Sequence, residues 1–152
     1  MDNLCHTLVG AALGEAGLKR KSAYGAATLM IASNLPDVDV LVFATNTPSI
    51  AFRRGWTHGV LADAVLPIVL TAIVVSMARR RGRTDVRPGA ILLLSYLGVL
   101  LHVAMDLLNT YGVRLLMPFS HRWFYGDVLF IVDPWLWITL ARGSGWRVAG
   151  GR

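Results

Sequence analysis

Two carboxylates stand two residues apart in Asn34-Leu35-Pro36-Asp37-Val38-Asp39, behind a proline that discourages any helix from running into them. In a loop such a pair can bind one divalent ion or bridge two through hard oxygen donors. His102 and Asp106 are spaced i, i+4, so on a helix both lie on one face, one turn apart, within reach of a common ion. His6 and His58, the latter in Arg53-Arg54-Gly55-Trp56-Thr57-His58, add imidazoles. Together they form an oxygen and imidazole donor set suited to zinc first, and also to manganese, iron or magnesium, as one ion or two. Such an ion lowers the pKa of bound water toward neutrality and polarises a phosphoryl or carbonyl oxygen. The expected metal ligands are therefore His6, Asp37, Asp39, His58, His102 and Asp106. Asp39 is also the expected general base if it is left off the ion, and Arg53 and Arg54 are placed to hold an anionic group such as phosphate.

Each of these residues also has an ordinary reading. His6 alone suits an interfacial histidine, Asp37 a turn, Asp39 a surface carboxylate and His58 a helix cap. His102 with Asp106 could be a polar pair joining helices, and Arg53 and Arg54 a flank that reaches toward headgroups. Asp63, within two turns of His58, fits either a supporting or a packing role. No helical spacing ties His121 or Asp127 to the set. Asn109 and Tyr111 could orient a substrate, although a turn also selects Asn-Thr-Tyr-Gly. Glu15 is expected to pair with Lys19 at i, i+4. Cys5, the single cysteine, has no second thiolate beside it and reads as packing.

The elements that must position these groups are helices. In 152 residues, 55% are hydrophobic and 16% charged, with mean hydropathy +0.53, and the apolar residues come in long runs, which points to the membrane. We expect an all-α polytopic membrane bundle of about four up-and-down helices plus a short C-terminal apolar segment. It forms a single domain over residues 1–142, with a flexible tail over 143–152. The first helix is expected over 3–18 and a second apolar stretch over 23–33, both short for a full span. A turn follows at Asn46-Thr47-Pro48-Ser49. Gly59 to Ala78, with a kink expected at Pro67, and Gly89 to Leu108 are long enough to cross, while Val128 to Ala141 is broken by Asp133-Pro134.

The net charge of +6 resides largely in two short loop clusters, Lys19 to Lys21 and Arg79 to Arg87. Clusters of this kind act as topology signals, so no direct nucleic-acid binding is expected. The positive-inside rule sets both loops on the cytoplasmic side, and alternation of the helices then gathers His6, Asp37, His58, His102 and Asp106 at the opposite end, the non-cytoplasmic face. The N-terminus lacks a basic region ahead of an apolar core, so no cleavable leader is expected. The expected function is a membrane-bound metal-dependent hydrolase, in which metal-activated water attacks an anionic phosphoester or lipid-like substrate among membrane lipids. The alternative is a non-catalytic membrane protein whose polar cluster joins helices and whose basic loops bind a partner.

Asp2-Asn3-Leu4-Cys5-His6-Thr7-Leu8-Val9-Gly10, the Asn34 to Asp39 and Arg53 to His58 stretches, and His102 with Asp106 and Asn109-Thr110-Tyr111-Gly112 resemble the bacterial LexA-binding, inner-membrane-associated metal-dependent hydrolases, the YdjM-like family. The resemblance runs from His6 to about Trp137. It implies a multi-pass protein of the bacterial inner membrane with a hydrolytic metal centre, on which His6, Asp37, Asp39, His58, His102 and Asp106 fall at the family's polar positions. It also raises a LexA-like repressor as the partner in the non-catalytic alternative. Val103 stands where proline is expected after the histidine, and Cys5 where a small hydroxyl residue is common.

Overall fold

The computed structural model describes residues 1–44 and 53–149, without the side chains of 144–149, so the turn expected at Asn46 to Ser49 lies outside the described residues. Helix α1 (Asn3–Glu15) starts where the Asp2 carboxylate accepts the Cys5 backbone N–H at 3.0 Å, the usual work of an N-cap aspartate. It ends ahead of Gly17, whose φ of +117° suits glycine, and the basic cluster follows as a 3-10 turn, Leu18–Lys21. Glu15 and Lys19 pair at 2.6 Å across that junction.

Helix α2 (Gly25–Ala32) stops just before Asn34-Leu35-Pro36, and the chain continues as a 3-10 stretch, Leu35–Ala44, at 49° to it. Helices α3 (Val60–Arg80) and α4 (Pro88–Leu108) have 21 residues each and mean hydropathies of 2.3 and 2.1. At about 1.5 Å per residue each covers a hydrocarbon core of about 30 Å. With α2 and its bent continuation taken as one broken span, two or three segments are long and apolar enough to cross. Helix α5 (Pro134–Ala149) opens on Pro134, with Asp133 Oδ1 accepting the Trp135 and Leu136 N–H groups, and runs on into the first part of the 143–152 stretch expected as a flexible tail. Among the described residues there is no strand, only isolated bridges such as Val113 with Phe124. The chain is an all-helical bundle of the membrane type.

α1 packs between α5 and α2, and α4 between α2 and α3. Two glycines set the inner spacing. A Cβ on Gly10 would lie 2.8 Å from the Leu29 carbonyl oxygen, and one on Gly98 would lie 2.5 Å from Ala32 Cβ. Backbones this close need small residues at the crossing. His6 stands one turn before Gly10 and His102 one turn after Gly98, on the same faces, so the contacts that join α1, α2 and α4 also bring the imidazoles together. Below them Ala32, Leu70, Val74, Ile91 and Val99 form the apolar core. On the outer side of α3, Val65, Ile68, Val69 and Ile73 are about half exposed, as lipid-facing residues are. At the far end the two basic loops are stitched together, Arg87 N–H to Ser22 Oγ at 2.9 Å and Ala23 N–H to the Asp85 carbonyl at 3.4 Å.

Candidate metal centre

One ligand atom from each of Asp37, His58, His102 and Asp106 lies within 4.8 Å of the others, and all four residues are buried. His58 Nε2 is 3.2 Å from His102 Nε2, and these two nitrogens are 3.5 and 3.6 Å from Asp106 Oδ2. Asp37 Oδ1 stands 3.8 Å from His58 Nε2 and 4.0 Å from His102 Nε2. The 3-10 stretch, the turn before α3 and the last turns of α4 each deliver part of the set.

The far sides of both rings are committed. His102 Nδ1 lies 2.7 Å from the Ser33 carbonyl oxygen, which can only accept, so Nδ1 carries the proton and Nε2 is bare. His58 Nδ1 faces Thr57 Oγ1 at 3.0 Å, and that hydroxyl donates onward to Asp39 Oδ2 at 3.2 Å. The chain of donors leaves His58 Nε2 bare as well, in the manner of a metal-ligating histidine whose other nitrogen is held by a carboxylate relay.

Two bare nitrogens at 3.2 Å beside buried carboxylate oxygens repel one another unless a cation sits among them. Asp37 Oδ1 and Asp106 Oδ2 accept no hydrogen bond among the described residues, a costly condition for a buried carboxylate that the Arg54 guanidinium, 3.3 Å from Asp106 Oδ2, offsets for Asp106 alone. Around a tetrahedral zinc ion, with ligands about 2.0 to 2.2 Å away, neighbouring donors lie about 3.3 to 3.6 Å apart. The donor set therefore fits a divalent ion in chemistry and nearly in size.

Asp39 does not share this position. In a 3-10 helix, with three residues per turn, side chains two apart point about 120° away from each other, so Asp37 and Asp39 diverge. Asp39 Oδ2 accepts the Arg54 backbone N–H at 2.7 Å and the Thr57 hydroxyl, and Oδ1 lies 3.4 Å from Arg53 Nε. Expected as ligand or base, it sits behind His58. Arg53 is half-buried and lies over the Phe43 ring. Arg54 is buried, with Nη1 3.3 Å from Asp106 Oδ2, from Asn109 Oδ1 and from the Gly112 carbonyl, and its guanidinium lies over Tyr111. Asn109 Oδ1 also takes the N–H groups of Tyr111 and Gly112, and Asn109 Nδ2 donates to Asp106 Oδ1 at 3.2 Å.

His6 stands beside the four-atom set. Its ring stacks on His102 with centroids 3.8 Å apart, Nε2 is 3.4 Å from Asp106 Oδ1, and both ring nitrogens lack a hydrogen-bond partner among the described residues. The Met1 amino group also contacts Asp106 Oδ1. Asp63 is buried but contributes no atom to the set, and His121 and Asp127 are exposed. Burial, helped by the Asp2 carboxylate, pushes the Cys5 thiol up to about 11, which keeps it protonated and inert.

Arg114 escaped the reading of the sequence. It is buried, donates from Nη2 to the Arg53 carbonyl at 3.0 Å, and its backbone N–H donates to the Arg54 carbonyl at 2.8 Å. A Cβ on Gly55 would strike its guanidinium at 2.7 Å, so Gly55 and Arg114 fit as a pair that holds the loop carrying Arg54 and Thr57. The available signal was a lone arginine inside the apolar run Val113 to Pro118, where a charge is costly unless it has partners.

Comparison with known proteins agrees with a membrane bundle. No solved structure matches the chain. A relative from Bacillus subtilis (strain 168), named "Uncharacterized protein YfhP", is 29% identical over 160 aligned residues, which cover 99% of this chain and 47% of that protein. The chain thus spans about half the length of that curated relative. The model of the YdjM inner membrane protein family matches residues 1–151, and the chain belongs to the YdjM inner membrane protein family.

Proposed function

We propose that this protein is a multi-pass, membrane-embedded, metal-dependent hydrolase that acts on an anionic phosphoester. Asp37, His58, His102 and Asp106 would hold one divalent ion, zinc first by its N₂O₂ donor set. When bound, the ion supplies Lewis acidity and an activated water. Arg54, held between Asn109, Gly112 and Tyr111, would bind the anionic group beside Asp106, with the half-buried Arg53 further out as a second cation. Asp39 would orient His58 through Thr57, and His6, with ring nitrogens to spare, is the nearest group able to take a proton or complete the ligand set. With the stitched basic loops on the cytoplasmic side, the centre would open at the other face.

The observation that carries this reading is the meeting, in a buried space, of two bare Nε2 atoms with two carboxylate oxygens that accept no hydrogen bond among the described residues. Metal analysis of protein purified gently in detergent tests it: about one equivalent in the wild type, lost in Asp37→Ala and in His102→Ala. The joined basic loops favour one other role, docking of a partner such as a LexA-like repressor. That role without catalysis predicts metal-free wild-type protein whose folding ignores chelator.

A further inference from the structure

A groove of about 550 Å³ follows the seam between α1 and the end of α2 and reaches Asp37. That size falls within the range of about 300 to 1,000 Å³ typical of small-molecule sites. Met30, Ile31 and Val38 wall it, with exposures of 36%, 49% and 43%. Close in sequence to the lining residues Asn3 and Val38, the apolar Leu4, Val40 and Leu41 are also exposed, at 50%, 47% and 66%. Because the segment it follows is part of a candidate broken span, such a groove faces acyl chains better than water. Polar lining comes from Asn3, which is exposed, and from Thr7, Asn34 and Asp37. Asn34 Nδ2 donates to Thr7 Oγ1 and to the Met30 carbonyl, both at 2.9 Å, while Asn34 Oδ1 is buried without a partner, an acceptor left over for a hydroxyl or amide of a ligand. Apolar walls thus lead past one spare acceptor to a candidate metal ligand, with the Arg54 cation beyond.

From this layout we propose that the groove seats the alkyl chain of an amphiphilic phosphoester, which enters sideways from the bilayer and presents its anionic head to the centre. The proposal rests on the metal-dependent reading above and names the substrate class for it. A water-soluble phosphoester would leave the groove unused, whereas a lipid places chain and head at once.

Binding of alkylphosphonates to the cobalt(II)-loaded full chain, followed by the visible spectrum of the ion, tests this without turnover. Dodecylphosphonate is expected to bind at least about tenfold tighter than methylphosphonate in the wild type, since each buried methylene adds to the binding. Ile68→Trp, on the lipid face of α3, controls for partition into detergent and should keep that ratio. Ile31→Trp and Ile31→Gln, at a half-exposed position, should reduce it below about threefold. An equal ratio in all four proteins, or no preference for the long chain in the wild type, overturns the groove while leaving the metal centre standing. Wild-type protein that takes up no cobalt overturns the hydrolase reading and the groove with it.

Discussion

His58 and His102 present their Nε2 atoms to each other across 3.2 Å, while their Nδ1 atoms are held from behind by Thr57 and by the Ser33 carbonyl. The pair acts as one unit, since neither nitrogen alone defines a site. His58→Ala and His102→Ala are each expected to weaken zinc binding by more than about 100-fold, and the double variant to lose little more. Titration calorimetry against a competing chelator measures it. Losses that add in full would mean that the two rings work separately.

Asp39 reaches the centre only through other groups, so Asp39→Asn and Thr57→Val should resemble one another. Each is expected to weaken metal binding by about 10 to 100-fold while the protein stays folded. Complete loss in Asp39→Asn with a silent Thr57→Val would instead make Asp39 a direct ligand.

The crossing of α2 and α4 leaves no room at Gly98. Gly98→Ala would set a Cβ 2.5 Å from that of Ala32 and is expected to cost about 1 to 3 kcal/mol in detergent unfolding. It should also weaken metal retention by shifting His102 off Ser33. Ala32→Gly in the same chain should restore part of both, since it removes the 2.5 Å contact and leaves those with Ser33 N at 3.1 Å and Ala32 C at 3.2 Å. A neutral Gly98→Ala would show that the helices part without loss.

Burial and the Asp2 carboxylate raise the Cys5 thiol to about 11, so at pH 8 the neutral form prevails and the reactive thiolate is scarce. Maleimide labelling of the folded protein should run at least about a hundredfold slower than for a free thiol, and go to completion in SDS. The rate should climb as pH rises toward 11. Fast labelling at pH 8 would place Cys5 outside the α1 interface.

Much of the frame was legible in local patterns. The lengths of α3 and α4 follow from unbroken apolar runs closed by Arg79-Arg80-Arg81 and opened by Pro88, and the common face of His102 and Asp106 follows from a four-residue spacing. The extent of α5 was harder to read, because Gly143 and its neighbours weaken a helix that nonetheless continues to Ala149.

The sequence by itself determined which residue types could bind an ion and which segments belong in a membrane, since both depend on composition and on spacings of a few residues. Only the tertiary structure decided the division of labour. Asp37 and Asp39 look equivalent on paper, yet a 3-10 path turns them apart, one toward His58 Nε2 and His102 and the other behind the His58 ring. Ser33 and His102 are 69 residues apart and meet because Ala32 and Gly98 let two helices touch, and Arg114 joins the Arg53 and Arg54 loop across a similar distance. Hydrogen bonds of that range depend on packing, which no local periodicity encodes.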